Sequence, residues 1–70
     1  MIVYAPFWET LKRKKISTYV LINKYNVSSS TINRLRHNMP ISTTTLDDLC
    51  KFLDCDISDI IEYVDIDSPA

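Results

Sequence analysis

This chain of 70 residues contains no glycine. Without glycine, no loop can wrap its backbone amides around a phosphate in the usual way, so the glycine-spaced nucleotide signatures are excluded. Any turn that needs a left-handed backbone must use another residue, and asparagine is the next-best choice. Histidine is nearly as scarce. His37 stands alone, so no nucleophile–base pair is readable, and the serine run Ser28-Ser29-Ser30 lacks a partner base. The sequence therefore points away from an enzyme and from any cofactor or small-molecule ligand. Only two cysteines occur, Cys50 and Cys55. They make no disulfide framework, and with one histidine they do not complete a zinc set. They read as small buried hydrophobes, and a reducing cytoplasm is their natural compartment. No apolar run approaches the roughly 18 residues of a membrane span. The opening stretch MIVYAPFWETLKRKK puts its charges after its apolar residues, the reverse of a secretory signal.

What is present is a succession of short helical patterns. The length fits one domain, close to the lower limit for a self-sufficient core. Such a chain needs efficient helix packing or a partner subunit. Pro6 suits the first turn of a helix that carries Phe7, Trp8 and Leu11 on its apolar side and ends near Lys14 or Lys15. Lys15 occupies a place where glycine would be comfortable. Ser17 caps a second helix that runs to about Tyr25, with Leu21 and Tyr25 one helical step apart. Asn26 is the expected left-handed pivot, and Ser28 then caps a third helix carrying Ile32 and Leu35 and reaching about His37. Met39-Pro40-Ile41 is a connecting loop, because the residue before proline is pushed out of helical geometry. Ser42 or Thr43 starts a fourth helix with Leu46, Leu49, Cys50 and Leu53 on one face. Asp56 to Asp59 reads as a capping pattern for a fifth helix that buries Ile57, Ile60, Ile61 and Val64. Ile2-Val3-Tyr4 and Glu62 to Ile66 are strand-like at the two ends, and a small two-stranded edge is an option, within one chain or between two. The expectation is an all-α fold of five compact helices, with that short terminal strand as a possible addition.

The pair joined at Asn26, roughly residues 17–38, has the form of a helix-turn-helix unit, whose second helix can enter the DNA major groove. Charge points the same way. Residues 1–38 carry Lys12, Arg13, Lys14, Lys15, Lys24, Arg34 and Arg36 against Glu9 alone, a balance of +6. Residues 39–70 carry Lys51 against eight acids, a balance of −7. A basic face neutralises phosphates whatever the net charge of the molecule. By itself the run Lys12 to Lys15 is the solvated end of a helix, where cations are ordinary. Beside the turn motif, a phosphate-facing role is favoured.

The pattern Leu11 through Ile16, Ser17-Thr18, Leu21, Asn26-Val27-Ser28, Ile32, Leu35, Leu46, Leu49, Leu53 and Asp56 through Ile61 resembles the helix-turn-helix domain of phage repressors and Cro, the class also called XRE-like. The likeness covers roughly residues 7–64. It is closest to small bacterial regulators of that class that end in a phrase like LCKFLDCDISDIIEY, here Leu49 to Tyr63. The resemblance implies a single domain that binds double-stranded DNA and regulates transcription, most naturally as a repressor. By position it implies phosphate contacts at Thr18 and Ser28, base-edge contacts at Ser29, Ser30 and Arg34, and Asn33 on the flank of that surface. Two departures stand out: Ile22 where the class usually has alanine, and Asn26 where it usually has glycine.

Arg34 is the strongest candidate for specific readout, since a guanidinium fork matches the two acceptors of guanine. Serine bonds to almost any base edge, so Ser29 and Ser30 serve mainly to let the helix approach closely. Lys24 and Arg36 are either phosphate neighbours or plain surface charges. A single recognition helix contacts few base pairs, which argues for a homodimer on paired half-sites. Ile2, Tyr4, Ile60, Tyr63, Val64 and Ile66 are the candidate subunit contacts. The competing function is a protein–protein interaction module that uses the same fold and docks through the acidic half.

Overall fold

Three serines set the starts of three helices. In the computed structural model, which describes residues 1–65, Ser17, Ser28 and Ser42 each turn their hydroxyl back to accept from the amide three residues on, at 3.2 Å from Val20, 3.1 Å from Thr31 and 3.1 Å from Thr45. Each such cap is worth about 1 kcal/mol of helix stability. The helices that follow are α2 (Thr18–Lys24), α3 (Ser29–Arg36) and α4 (Thr43–Leu53). Before them lies α1 (Ala5–Lys14), which has Pro6 in its first turn and no side-chain cap.

The lack of glycine shows at the other ends. All four helices are followed by a residue with positive φ: Lys15 (57°), Asn26 (58°), Asn38 (54°) and Asp54 (48°). Asparagine and aspartate tolerate this conformation, whereas lysine does not readily. After α1, α3 and α4 the chain then closes by returning an amide to a carbonyl five residues back, Ile16 to Leu11 at 2.9 Å, Met39 to Arg34 at 2.9 Å and Cys55 to Cys50 at 3.1 Å. Val27 closes α2 onto Leu21 at 3.0 Å. The expected pivot at Asn26 is therefore present, and Asn38 and Asp54 repeat it.

The expected fifth helix is not formed. Among the described residues, four α-helices are followed by a single 3₁₀ turn, Ile57–Asp59. Its start follows the expected pattern, because the Asp56 amide donates to Asp59 Oδ2 at 3.2 Å. The turn ends after Ile60 and Ile61 have both bonded to the Ile57 carbonyl, at 2.9 and 3.0 Å. One turn is enough to drop Ile60 into the core, and Ile61, Tyr63 and Val64 beyond it suit an extended chain. Ile57, expected to point inward, is 53% exposed.

The chain then forms β2 (Glu62–Tyr63), which pairs antiparallel with β1 (Ile2–Val3) of the same chain, Ile2 opposite Tyr63 and Val3 opposite Glu62. The fold is thus mostly helical with a small strand pair, rather than all-α. The end of the strand-like stretch, Ile66, lies outside the described residues.

The core gathers one or two residues from each helix: Phe7 and Leu11, Leu21, Ile32 and Leu35, Leu49 and Leu53, together with Tyr4 and Ile60. Each fully buried leucine or isoleucine contributes about 1.5–3 kcal/mol relative to exposure. The one buried polar residue among those described, Thr10, is satisfied by donating to the Asp59 carbonyl at 2.7 Å. That bond ties α1 to the 3₁₀ turn. Tyr4 and Ile60 were candidate subunit contacts. At 3% and 0% exposure they are spent in the core instead. Cys50 and Cys55 are free thiols, half-buried against the core rather than enclosed by it. Among the described residues, no helix is long and apolar enough to cross a membrane.

Candidate nucleic-acid interface

The geometry of α3 follows from its two buried residues. Ile32 and Leu35, 4% and 1% exposed, lie one helical step apart and turn one side of the helix inward. With 3.6 residues per turn, Ser30 and Asn33 then stand opposite that stripe, with Ser29 and Arg34 to either side. All four are exposed. Three of them are neutral and the fourth is a cation, so this face offers hydrogen-bonding groups and a positive charge with no acid among them.

Ser28 is exposed at the head of the helix. Besides capping the Thr31 amide, its Oγ lies 2.9 Å from Thr31 Oγ1, so the first turn is held by a pair of hydroxyls. Thr31 is accordingly a half-buried support of the cap rather than part of the open face. Across a cleft of about 250 Å³, Ser28 and Thr31 look toward Thr45 and Asp48 of α4. Thr18 is the first residue of α2 and is half-buried, one place after the Ser17 cap.

The cations divide into two groups. Basic residues fill the last turns of α1 (Lys12, Arg13, Lys14), α2 (Lys24) and α3 (Arg34, Arg36). There they offset the negative end of each helix dipole, about 0.3–1 kcal/mol apiece. Several are also engaged with the protein itself. Arg36 places its guanidinium carbon 5.3 Å from the centroid of the Trp8 ring, and Lys24 sits 5.3 Å from that of Tyr25. Arg13 reaches Asp59 at 3.8 Å. Lys12, Lys14, Lys15 and Arg34 have no ion pair or ring contact among the described residues. Of the two open assignments, the structure thus gives Arg36 and Lys24 partners within the fold, while Arg34 remains free on the open face.

Two features of this region were not evident in the sequence. One is the support of Arg36 by Trp8, a contact between residues 28 apart that no local pattern announces. The other is Asn38, whose side-chain oxygen accepts from the Tyr4 amide at 3.0 Å. An asparagine directly after the last helical residues is the one available signal for such a helix end.

Away from this region, burial raises the pKa of both Cys50 and Cys55, and nearby acids add to the effect. For Cys55 the neighbouring Cys50 is the next cause, and Lys14 and Arg13 partly oppose it. The thiols are therefore protonated near neutral pH. Among the described residues, no cluster of histidine, cysteine and acid is placed to hold a metal ion.

The chain is similar to the transcriptional regulator VanUg, known from a crystal structure, at 33% sequence identity and a TM-score of 0.82, with 90% of this chain and 84% of that chain covered. No curated protein sequence matches it. Residues 7–65 match the model of the Cro/C1-type helix-turn-helix DNA-binding domain. The chain belongs to that family of DNA-binding domains.

Proposed function

We propose that the protein is a sequence-specific, double-stranded DNA-binding regulator of transcription that acts as a repressor and reads the major groove with α3. The observation that carries this is the outward face of α3. Ser29, Ser30, Asn33 and Arg34 are exposed together there, and Arg34 has no ion pair or ring contact among the described residues. A guanidinium presented in this way suits the O6 and N7 acceptors of guanine, and the small serines let the helix approach closely. Thr18 and Ser28, at the heads of α2 and α3, are the polar contacts for flanking phosphates. Lys12, Lys14 and Lys15, with Lys24 and Arg36 in supporting places, supply counter-charge. Repression needs only that the bound protein exclude others from the same stretch of DNA. Two free thiols and a DNA partner fit a cytoplasmic protein.

One recognition helix touches few base pairs, so the active form is a homodimer on two half-sites about 10 bp apart. The exposed cross-strand neighbours Ile2 and Tyr63 provide the subunit contact, with half-buried Val64 beside them. Acids at Glu62 and Asp65 flank that surface, so the interface is modest and DNA reinforces it. Sedimentation of the free protein and of its complex on a tight-binding duplex tests this. Two copies per duplex are expected, and a one-to-one complex on every tight site would end the dimer proposal.

The test of the main proposal is retention on duplex DNA as salt rises. Phosphate binding loses affinity steeply, with a log–log slope of about −0.9 per contact. Absence of retention even at low salt would leave the protein–protein interaction module as the better account.

A further inference from the structure

We propose that Tyr4 is a positioning residue for α3, holding the C-terminal end of that helix through Asn38 and Met39 and so fixing where Arg34 stands. The proposal rests on α3 being the helix that reads DNA. Tyr4 directly follows β1 and is 3% exposed. It bonds to the exit of α3 twice. Its amide donates to Asn38 Oδ1 at 3.0 Å, and its hydroxyl donates to the Met39 carbonyl at 2.7 Å. The Met39 amide in turn donates to the Arg34 carbonyl at 2.9 Å. Two hydrogen bonds through one residue thus lead from the Tyr4 hydroxyl to the backbone of the proposed base-reading arginine.

Ile32 and Leu35 pack the body of α3, but packing does not fix the segment that leaves it. Asn38, Met39 and Pro40 are all exposed, and beside them lies an open hollow of about 400 Å³ bordered by Tyr4, Asn38, Ile41 and Leu46. Where few apolar contacts fix a segment, its position follows its hydrogen bonds. The left-handed backbone at Asn38, with φ of 54°, aims its side chain back at Tyr4. The phenol and the amide are therefore used for direction, while the buried ring alone would satisfy the core. Through Tyr4, the strand pair formed by the two ends of the fold is joined to the reading helix.

Two variants separate positioning from folding. Tyr4→Phe keeps the ring and removes the bond to Met39. Asn38→Gly keeps a backbone suited to positive φ and removes the acceptor. Asn38→Asp restores an acceptor and serves as the rescue. Two measurements are made on each: amide exchange at His37 and Met39, and affinity for a selected duplex against a random one. Both Tyr4→Phe and Asn38→Gly should speed exchange at His37 and Met39 about fivefold, the effect of losing one hydrogen bond, with core amides unchanged. Affinity for the selected duplex should fall about fivefold, while affinity for the random duplex and the salt dependence stay constant. Asn38→Asp should return both readouts toward the parent. Unchanged exchange at the two amides, or equal losses on selected and random duplexes, would overturn the proposal. If the parent protein shows no preference among duplexes, the DNA-reading function fails, and the exchange data still decide whether Tyr4 holds the helix.

Discussion

Arg36 lies against Trp8, its guanidinium carbon 5.3 Å from the ring centroid, so the last turn of α3 leans on the first half of α1. Trp8 is itself braced edge-on by the buried Phe7, with ring centroids 4.9 Å apart and planes at 80°. The contact uses the charge of Arg36 within the fold. Arg36→Ala should therefore lower stability by about 0.5–1 kcal/mol, the range for an exposed cation over an aromatic ring. Its sequence preference on DNA should stay as it was. Urea titration checks the first expectation, and competition between duplexes checks the second. A variant of unchanged stability that has lost base preference would reverse the roles assigned to Arg36 and Arg34.

The lysines after the middle of α1 give a second expectation. Arg13 is drawn toward Asp59 at 3.8 Å, whereas Lys12 and Lys15 are exposed and unpaired among the described residues. Replacing both with glutamine should weaken binding to every duplex. It should also flatten the salt slope by about two phosphate contacts. A slope equal to that of the parent would reduce the run to a solvated helix end.

Lys15 is the least suited of the four left-handed residues, with φ of 57°. A side chain in that region costs roughly 1–2 kcal/mol, and glycine avoids the cost while losing some entropy on folding. Lys15→Gly should raise stability by about 1 kcal/mol in urea while reducing DNA affinity without regard to sequence. A drop in stability would mean that the lysine makes a contribution its geometry does not reveal.

Cys50 and Cys55 predict a pH effect. Burial holds both thiols above their ordinary value, so the folded state keeps protons that the unfolded state has lost. Their contribution to stability is whole below the unfolded value of about 8.5 and is lost as pH climbs through the raised folded values. Between pH 7 and pH 10 the parent should lose more stability than a Cys50→Ala, Cys55→Ala double variant. Equal losses would show that the thiols ionise as freely in the fold as outside it.

The helices and caps were legible because their signals are local. Ser17 and Ser28 precede apolar steps of three and four, and Asn26 stands between two such patterns in a chain without glycine. The fifth helix failed for the same reason. Asp56 to Asp59 does begin a turn, but the local pattern could not decide between extending it as a helix and pairing Glu62–Tyr63 with Ile2–Val3, which the strand-like ends offered only as an option. The polar residues of α3 were named through the resemblance, and their exposure agrees with helical spacing once Ile32 and Leu35 are buried. The partners of Arg36 and Asn38 could not be named, because Trp8 and Tyr4 are distant in sequence. Burial of Tyr4 and Ile60 followed from the same closure, which turned two candidate subunit contacts into core.

The central claim is that Arg34 on the open face of α3 reads a base. Selection of bound sequences from a random pool of duplexes, carried out with the parent and with Arg34→Ala, tests it most directly. The parent should enrich paired half-sites whose centres lie about 10 bp apart. The variant, still folded, should lose its preference at one guanine in each half-site, at a cost of about 1–3 kcal/mol there, and keep the rest of the pattern. No enriched sequence for the parent, or the same enriched sequence for both proteins, would contradict the account.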